Sequence, residues 1–244
     1  MPRHLLDGPG KVVFNVTTME GKAMNQKYKA VIFDLDGTLL DTLEDLTDSC
    51  NQALTGLGYP AHTIAEVRQF VGNGLGVMIE KALPGGRGNP DYDKALDRMR
   101  EIYSANYQNK TKAYDGVLDL IERLKERGVK MAIVSNKPDA QVKELAALYF
   151  KSIPQEAAIG ENEAAGVRRK PYPDSVYTAL KALGANKEDA VYIGDSDVDM
   201  ATARNSGLPC ISVSWGFKTR EFLQEKGASP IVDRPDEVLG LAGF

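Results

Sequence analysis

Four short apolar runs, each ending in a polar turn, constrain this chain more than any other feature. Ala30-Val31-Ile32-Phe33 leads into Asp34, and Val129-Lys130-Met131-Ala132-Ile133-Val134 leads into Ser135-Asn136. Ala190-Val191-Tyr192-Ile193 precedes Gly194-Asp195, and Pro209-Cys210-Ile211-Ser212-Val213 precedes Ser214-Trp215-Gly216. Continuous apolar runs of this length are how strands buried on both faces read. Between them lie helical periods. Val117, Leu118, Leu120, Ile121 and Leu124 share one face before Gly128, and Val176, Leu180 and Leu183 share another before Gly184; glycine commonly ends a helix. Strands alternating with helices predict an α/β fold, with a parallel sheet, right-handed crossovers and helices on both faces.

One stretch breaks the alternation. From about Thr42 to Tyr107 the apolar residues recur at three and four: Leu43, Leu46, Cys50 and Leu54, then Val67, Phe70 and Val71. Val77, Ile79 and Leu83 continue the pattern, and Leu96, Met99, Ile102 and Tyr103 close it, with a glycine-rich loop from Pro84 to Pro90 before the last helix. An all-helical insert directly after the first strand reads as a small bundle over one edge of the sheet.

Composition narrows the functional classes. A formal charge of −4 argues against a nucleic-acid binder. Two cysteines, Cys50 and Cys210, without paired spacing predict neither a disulfide framework nor a zinc site, and so a reducing, cytoplasmic setting. No apolar segment is long enough to span a membrane. Residues 1–24 read as an extension outside the core, although Lys11-Val12-Val13-Phe14-Asn15-Val16 has the look of a short strand.

The chemistry-bearing residues follow the strands, where open parallel sheets place their ligand sites. Asp34-Leu35-Asp36-Gly37-Thr38 sets two carboxylates at i and i+2, so an extended segment turns both to one side, and Gly37 permits a sharp turn. The plain alternative is an Asp-Gly turn with solvated acids. In Gly194-Asp195-Ser196-Asp197-Val198-Asp199, Asp195 sits at a strand tip like Asp34 and is expected to ligate a metal. Asp197 is expected merely to cap the following helix. In Arg168-Arg169-Lys170-Pro171, the arginines read as solvated, whereas Pro171 holds Lys170 out of helical geometry. Ser135 and Asn136 either cap a helix begun by Pro138 or offer a hydroxyl and backbone N–H groups to an anion.

Asp34, Asp36, Asp195 and Asp199 in one cleft would repel by roughly 4 kcal/mol per pair at 4 Å and an effective dielectric near 20. Accepting a phosphate dianion as well requires cations; Lys170 supplies one charge and a divalent metal two more. Oxygen donors with no histidine or cysteine nearby favour Mg2+ over zinc or copper. His4 and His62 fall in the extension and the insert, away from these turns, which disfavours histidine-based catalysis. No P-loop or dinucleotide glycine pattern occurs.

At these residues the sequence resembles the haloacid dehalogenase (HAD) superfamily of phosphotransferases, from about residue 27 to 244. Asp34-x-Asp36-Gly37-Thr38, Ser135, Lys170 and Gly194-Asp195-Ser196-x-x-Asp199 match its four motifs in order. Within it, Val71-Gly72-Asn73-Gly74, Ser135-Asn136-Lys137-Pro138 and Ser214-Trp215-Gly216-Phe217 resemble phosphoglycolate phosphatases. Related pyrophosphatases and sugar-phosphate phosphatases carry similar motifs. The chain departs from the family pattern between Tyr149 and Lys170, where Pro154, Gln155 and Glu156 interrupt an expected strand.

The resemblance implies a Rossmann-like three-layer core at 25–41 and 112–244, and a small helical cap of the C1 type at 42–111. It implies a phosphatase acting on a small phosphorylated metabolite, as a monomer or homodimer. Asp34 would be the nucleophile, ionised at its ordinary pKa near 3.9. Asp36 would protonate the leaving oxygen and later deprotonate water, which requires it to hold a proton near neutral pH. Mg2+ would be held by the Asp34 side chain, the Asp36 carbonyl and the Asp195 side chain, with Asp199 behind them orienting Lys170 or a bound water. Lys170, Ser135, Asn136 and Thr38 would meet the phosphoryl group. Asn73, between two glycines, is the candidate cap contact to the leaving group; a plain helix-to-helix turn is the alternative. Arg68 reads as a solvated helix face, and Trp215 and Phe217 as packing residues. Rivals remain at this point: a β-phosphoglucomutase-like phosphomutase with the same aspartyl chemistry or a pyrophosphatase on the same fold, and, from another class, a non-catalytic binding protein.

Overall fold

A computed structural model describes residues 27–244. The expected extension at 1–24 and its possible strand lie outside the described residues.

The first run forms β1 (Ala30–Phe33), followed by a two-residue strand, β2 (Leu40–Asp41). Four helices come next: α1 (Leu43–Thr55), α2 (Ile64–Phe70), α3 (Gly74–Ala82) and α4 (Tyr92–Asn106). A second short strand, β3 (Lys112–Ala113), pairs antiparallel with β2, Leu40 opposite Ala113 and Asp41 opposite Lys112. The two connections to the helical insert are thereby tied together. Asp45, buried in α1, reinforces the tie: its carboxylate accepts from Lys110 N at 3.0 Å and from Thr111 N and Oγ1 at 2.9 Å.

The remaining elements alternate as α5 (Val117–Glu126), β4 (Lys130–Pro138), α6 (Asp139–Tyr149), β5 (Ala158–Glu161), α7 (Asp174–Leu183), β6 (Ala190–Gly194), α8 (Asp197–Ser206), β7 (Cys210–Val213), α9 (Arg220–Glu225), β8 (Ile231–Val232) and α10 (Pro235–Leu241). Six strands make one parallel sheet, ordered β5-β4-β1-β6-β7-β8. The order reverses direction beside β1, the central strand that carries Asp34.

Alternation along the central strands divides their side chains between two cores. Val31, Phe33, Ile133, Val191 and Ile193 pack with apolar residues of α5, α6 and α10, in a cluster that runs on into the helical insert. Ala30, Ile32, Ala132, Val134, Ala190 and Tyr192 face α7 and the Ala203–Leu208 segment. Each buried aliphatic or aromatic side chain contributes on the order of 2 kcal/mol by leaving water. The three-layer α/β arrangement expected from the sequence is present.

Three local expectations need correction. β4 does not stop at Val134; Ser135, Asn136 and Lys137 remain extended, with an irregular register between Val134 and Pro138. The next helix accordingly starts at Asp139, and neither Ser135 nor Asn136 caps it. The interrupted strand reappears late, as β5, after a single turn at Gln155–Ala157; Pro154 has no N–H to give to a strand ladder. Two-residue β8 was invisible to periodicity.

Candidate active site

Asp34 leaves the tip of β1 and Asp195 the tip of its neighbour β6, so sheet pairing alone brings the two carboxylates together. Asp34, Asp195 and Asp199 each place a carboxylate oxygen within 4.8 Å of the others, and all three are buried. The backbone turns around them are tight. Gly37 has φ +90°, a conformation that disfavours any side chain, and a Cβ there would lie 2.5 Å from Asp195 Oδ2. A Cβ on Gly216 would meet the Gly37 carbonyl and the same Asp195 oxygen.

Lys170 is the buried counter-charge. Its Nζ lies 2.7 Å from Asp34 Oδ1 and 2.8 Å from Asp199 Oδ1. Asn136 fixes its backbone: Asn136 Oδ1 accepts from Lys170 N at 2.7 Å. Asp199 is fully engaged. Its Oδ1 also accepts from the Tyr192 hydroxyl at 2.9 Å, and its Oδ2 accepts from Ser196 N at 3.1 Å and Ser196 Oγ at 2.5 Å. The helix-capping role expected of Asp197 belongs to this Ser196–Asp199 capping box, while Asp197 is only an acid in the first turn.

Those commitments decide which carboxylates are available to a cation. Asp199 has no lone pair directed at the cleft that is not already used. Asp34 Oδ1 accepts from Leu35 N at 2.7 Å, and among the described residues its Oδ2 takes no hydrogen bond. Asp195 Oδ2 accepts from Phe217 N at 2.7 Å, and its Oδ1 has only a long contact, 3.5 Å, from Thr38 Oγ1. The Asp36 carbonyl, in the turn between them, accepts no backbone hydrogen bond among the described residues. Among the described residues, Asp34 Oδ2, Asp195 Oδ1 and the Asp36 carbonyl are thus less engaged than either oxygen of Asp199. The three buried carboxylates of Asp34, Asp195 and Asp199 face one ammonium group, Lys170. The donors are all oxygen and the charge deficit is two, so the residues fit a hard divalent cation.

The electrostatics agree. Burial, then the Asp199 charge, pushes the Asp34 carboxyl well above its usual range against the pull of Lys170. The expectation of an ordinary Asp34 pKa did not allow for this burial, which disfavours the ionised form. Burial and Asp199 likewise push Asp195 up to about 7. The Lys170 ammonium is held above its usual value: burial opposes the charge, but Asp199 and Asp34 outweigh it.

A stability prediction follows with a definite sign. Asp195 binds its proton more tightly folded, near 7, than unfolded, near 3.8. Its contribution is therefore fully present below pH ~4 and is lost as pH rises through ~7. Chelator-treated protein should lose about 3 kcal/mol of unfolding free energy between roughly pH 5 and 8, and millimolar Mg2+ should flatten that decline. Urea melts across this range, with and without Mg2+, check it.

The cleft opens into a cavity of about 510 Å3 between sheet and insert, lined by Asp34, Asp36, Ser135, Asn136, Lys137 and Lys170 from the core. The insert supplies Gly72, Gly74, Leu75, Met78, Arg100 and Tyr103 among others. Asn73, the expected leaving-group contact, is not among the lining residues; its flanking glycines are. Thr38 faces Asp195 rather than the cavity. Arg168 is paired with Asp174 on the surface, as expected, but Arg169 lines the cavity, its Nε 2.9 Å from Glu161. Arg68 is exposed and reaches the Gly216 carbonyl at 3.4 Å, linking insert to core. Trp215 donates to the Thr38 carbonyl at 3.0 Å.

Sequence reasoning missed Lys137. Its side chain is 3% exposed, 3.4 Å from Asp36 Oδ1, bonded through Nζ to the Tyr103 hydroxyl, and 4.4 Å from that ring's centroid. The signal was available: Ser135 and Lys137 stand at i and i+2 on extended backbone, so both face one side.

A family model described as haloacid dehalogenase-like hydrolase matches residues 31–213. Phosphoglycolate phosphatase 1 of Pseudomonas aeruginosa is 33% identical over 224 residues, covering 88% of this chain and 79% of its own length. A phosphoglycolate phosphatase of Mesorhizobium japonicum is 33% identical over 193 residues, covering 78% and 84%. A solved structure from Lactobacillus delbrueckii subsp. bulgaricus, a candidate phosphoglycolate phosphatase, superimposes with a TM-score of 0.83 at 36% identity, covering 88% of this chain and 98% of that one. The family match runs from β1 through β7 and so takes in every member of the carboxylate cluster and its lysine; the chain belongs to the haloacid dehalogenase-like hydrolase family.

Proposed function

We propose that this chain is a Mg2+-dependent phosphatase of small phosphate monoesters, 2-phosphoglycolate foremost, working through a phosphorylated Asp34. The observation that carries the reading is the asymmetry of the Asp34 carboxylate. Lys170 and the Leu35 N–H hold Oδ1, while Oδ2 takes no hydrogen bond among the described residues and Asp34 lines the cavity. The relatives named above supply the substrate class.

Asp34 Oδ2 attacks phosphorus as the ester P–O bond breaks, and Asp36 gives its proton to the departing oxygen. Asp36 then takes a proton from the water that attacks the aspartyl phosphate, releasing inorganic phosphate and restoring Asp34. Lys170 Nζ offsets charge on the phosphoryl oxygens. Ser135 Oγ accepts from Lys137 N at 3.2 Å, which leaves its own proton to donate to the same oxygens. The Asp34 and Asp195 carboxylates and the Asp36 carbonyl would hold Mg2+, which would offset negative charge on Asp34 and on the phosphoryl group. Residues 42–111 act as the cap that excludes water from the cavity, with 112–244 and the β1 segment as the catalytic core.

Free-phosphate release from 2-phosphoglycolate, within a panel of phosphorylated metabolites, tests the reading. Activity should vanish with chelator and return with Mg2+. Turnover unaffected by exhaustive chelation, or isomerisation of a hexose phosphate without phosphate release, would contradict it.

A further inference from the structure

We infer that Lys137 binds the carboxylate of the substrate's leaving group and so selects phosphate esters of 2-hydroxy acids; the inference rests on the hydrolytic reading above. Four cations line the cavity: Arg100, Lys137, Arg169 and Lys170. Lys170 is held by Asp34 and Asp199, Arg169 pairs with Glu161, and Arg100 pairs with Asp97 at 3.1 Å in the open. Lys137 is placed differently. It is buried, and among the described residues the carboxylate paired with it, Asp36 Oδ1 at 3.4 Å, takes no hydrogen bond. Of its three N–H groups one is spent on Tyr103. Asp36 and the Tyr103 ring offset the buried charge only in part, and the N–H groups not spent on Tyr103 remain to meet a second anion.

Geometry says where that anion sits. A general acid works within about 2.6–3.2 Å of the oxygen it protonates, so the ester oxygen lies against Asp36. Lys137 Nζ is 3.4 Å from the same carboxylate. In the ester of a 2-hydroxy acid the carboxyl carbon is two covalent bonds of about 1.5 Å from the ester oxygen. Its oxygens therefore fall within reach of Nζ. A sugar phosphate presents only hydroxyl or C–H groups at that distance. The reader of so short a leaving group has to stand in the core beside Asp36, and Lys137 does, with Tyr103 of the insert closing over its ammonium.

Calorimetry on the Mg2+-loaded protein separates the possibilities without requiring turnover. The probes are 3-phosphonopropionate, which mimics 2-phosphoglycolate, and propylphosphonate, which lacks its carboxylate. Wild type should bind the former at least about tenfold more tightly, as a charge-assisted hydrogen bond implies. In Lys137→Met the preference should shrink to within about threefold. Equal affinities in wild type overturn the inference whatever the variant does. So does a preference that survives Lys137→Met, or a variant that weakens both probes alike, which would mark a role confined to Asp36. If wild type discriminates between the probes yet releases phosphate from no ester, the hydrolytic reading fails and the carboxylate contact stands.

Discussion

Asp34→Asn should lower kcat on phosphate esters by ~10^4-fold or more, because an amide cannot displace an alkoxide from phosphorus. It should do so without unfolding the protein. Asn is nearly isosteric, and its Oδ1 can still accept from Leu35 N, a contact of 2.7 Å in the native chain. The electrostatic consequence runs opposite to the usual loss of a buried ion pair. Burial and the Asp199 charge raise the Asp34 carboxyl well above its ordinary range, so in metal-free protein near neutral pH the ionised form is a strain on the fold. The variant should therefore be at least as stable as wild type in chelator, and lose that advantage in Mg2+. Steady-state kinetics paired with urea melts in both conditions provide the check. Residual activity within tenfold of wild type, or collapse of the fold in chelator, would go against the assignment.

Lys170→Met should be the most damaging change to the site as a whole. Lys170 Nζ stands between Asp34 Oδ1 at 2.7 Å and Asp199 Oδ1 at 2.8 Å, with its side chain 3% exposed. Methionine fills much of the space but withdraws the one cation that, among the described residues, touches both acids. Removing one partner of a buried ionic cluster costs about 3–5 kcal/mol. The loss should be largest at alkaline pH and shrink on acidification, as the stranded carboxylates take up protons. Loss of positive charge beside the phosphoryl oxygens adds a kinetic penalty of about 10^3-fold in kcat. Urea unfolding at acid and alkaline pH reads the first effect and saturating kinetics the second. A Lys170→Met protein as stable as wild type at high pH would mean that the cluster is not held by this charge.

Much of the candidate site is legible in the sequence because its polar groups sit where strands end. Asp34, Ser135 and Asp195 were found by asking which polar residues follow apolar runs, and parallel pairing of β1 with β4 and β6 gathers all three; Lys170 was marked instead by Pro171 after it. The six-stranded order was not legible, since pairing partners leave no local trace and β8 has only two residues. Tyr192 escaped for a related reason. It reads as one more buried residue of an apolar run, yet its hydroxyl donates to Asp199 at 2.9 Å. Arg169 looked like its neighbour Arg168, and only the meeting of insert and core distinguishes them. Lys137 was hidden by a boundary placed too early: ending β4 at Val134 erased the alternation that turns Lys137 toward Asp36.

The covalent step on Asp34 can be observed directly. Asp36→Asn protein, impaired in deprotonating the attacking water, is mixed with Mg2+ and labelled acetyl phosphate, whose leaving group needs little protonation. The mixture is quenched in acid within milliseconds and mapped by peptide mass spectrometry. The account predicts a hydroxylamine-labile phosphate on the peptide carrying Asp34, and none when Asp34→Asn is added to the variant. Phosphate release with no labelled peptide, or a label on any other residue, would contradict it.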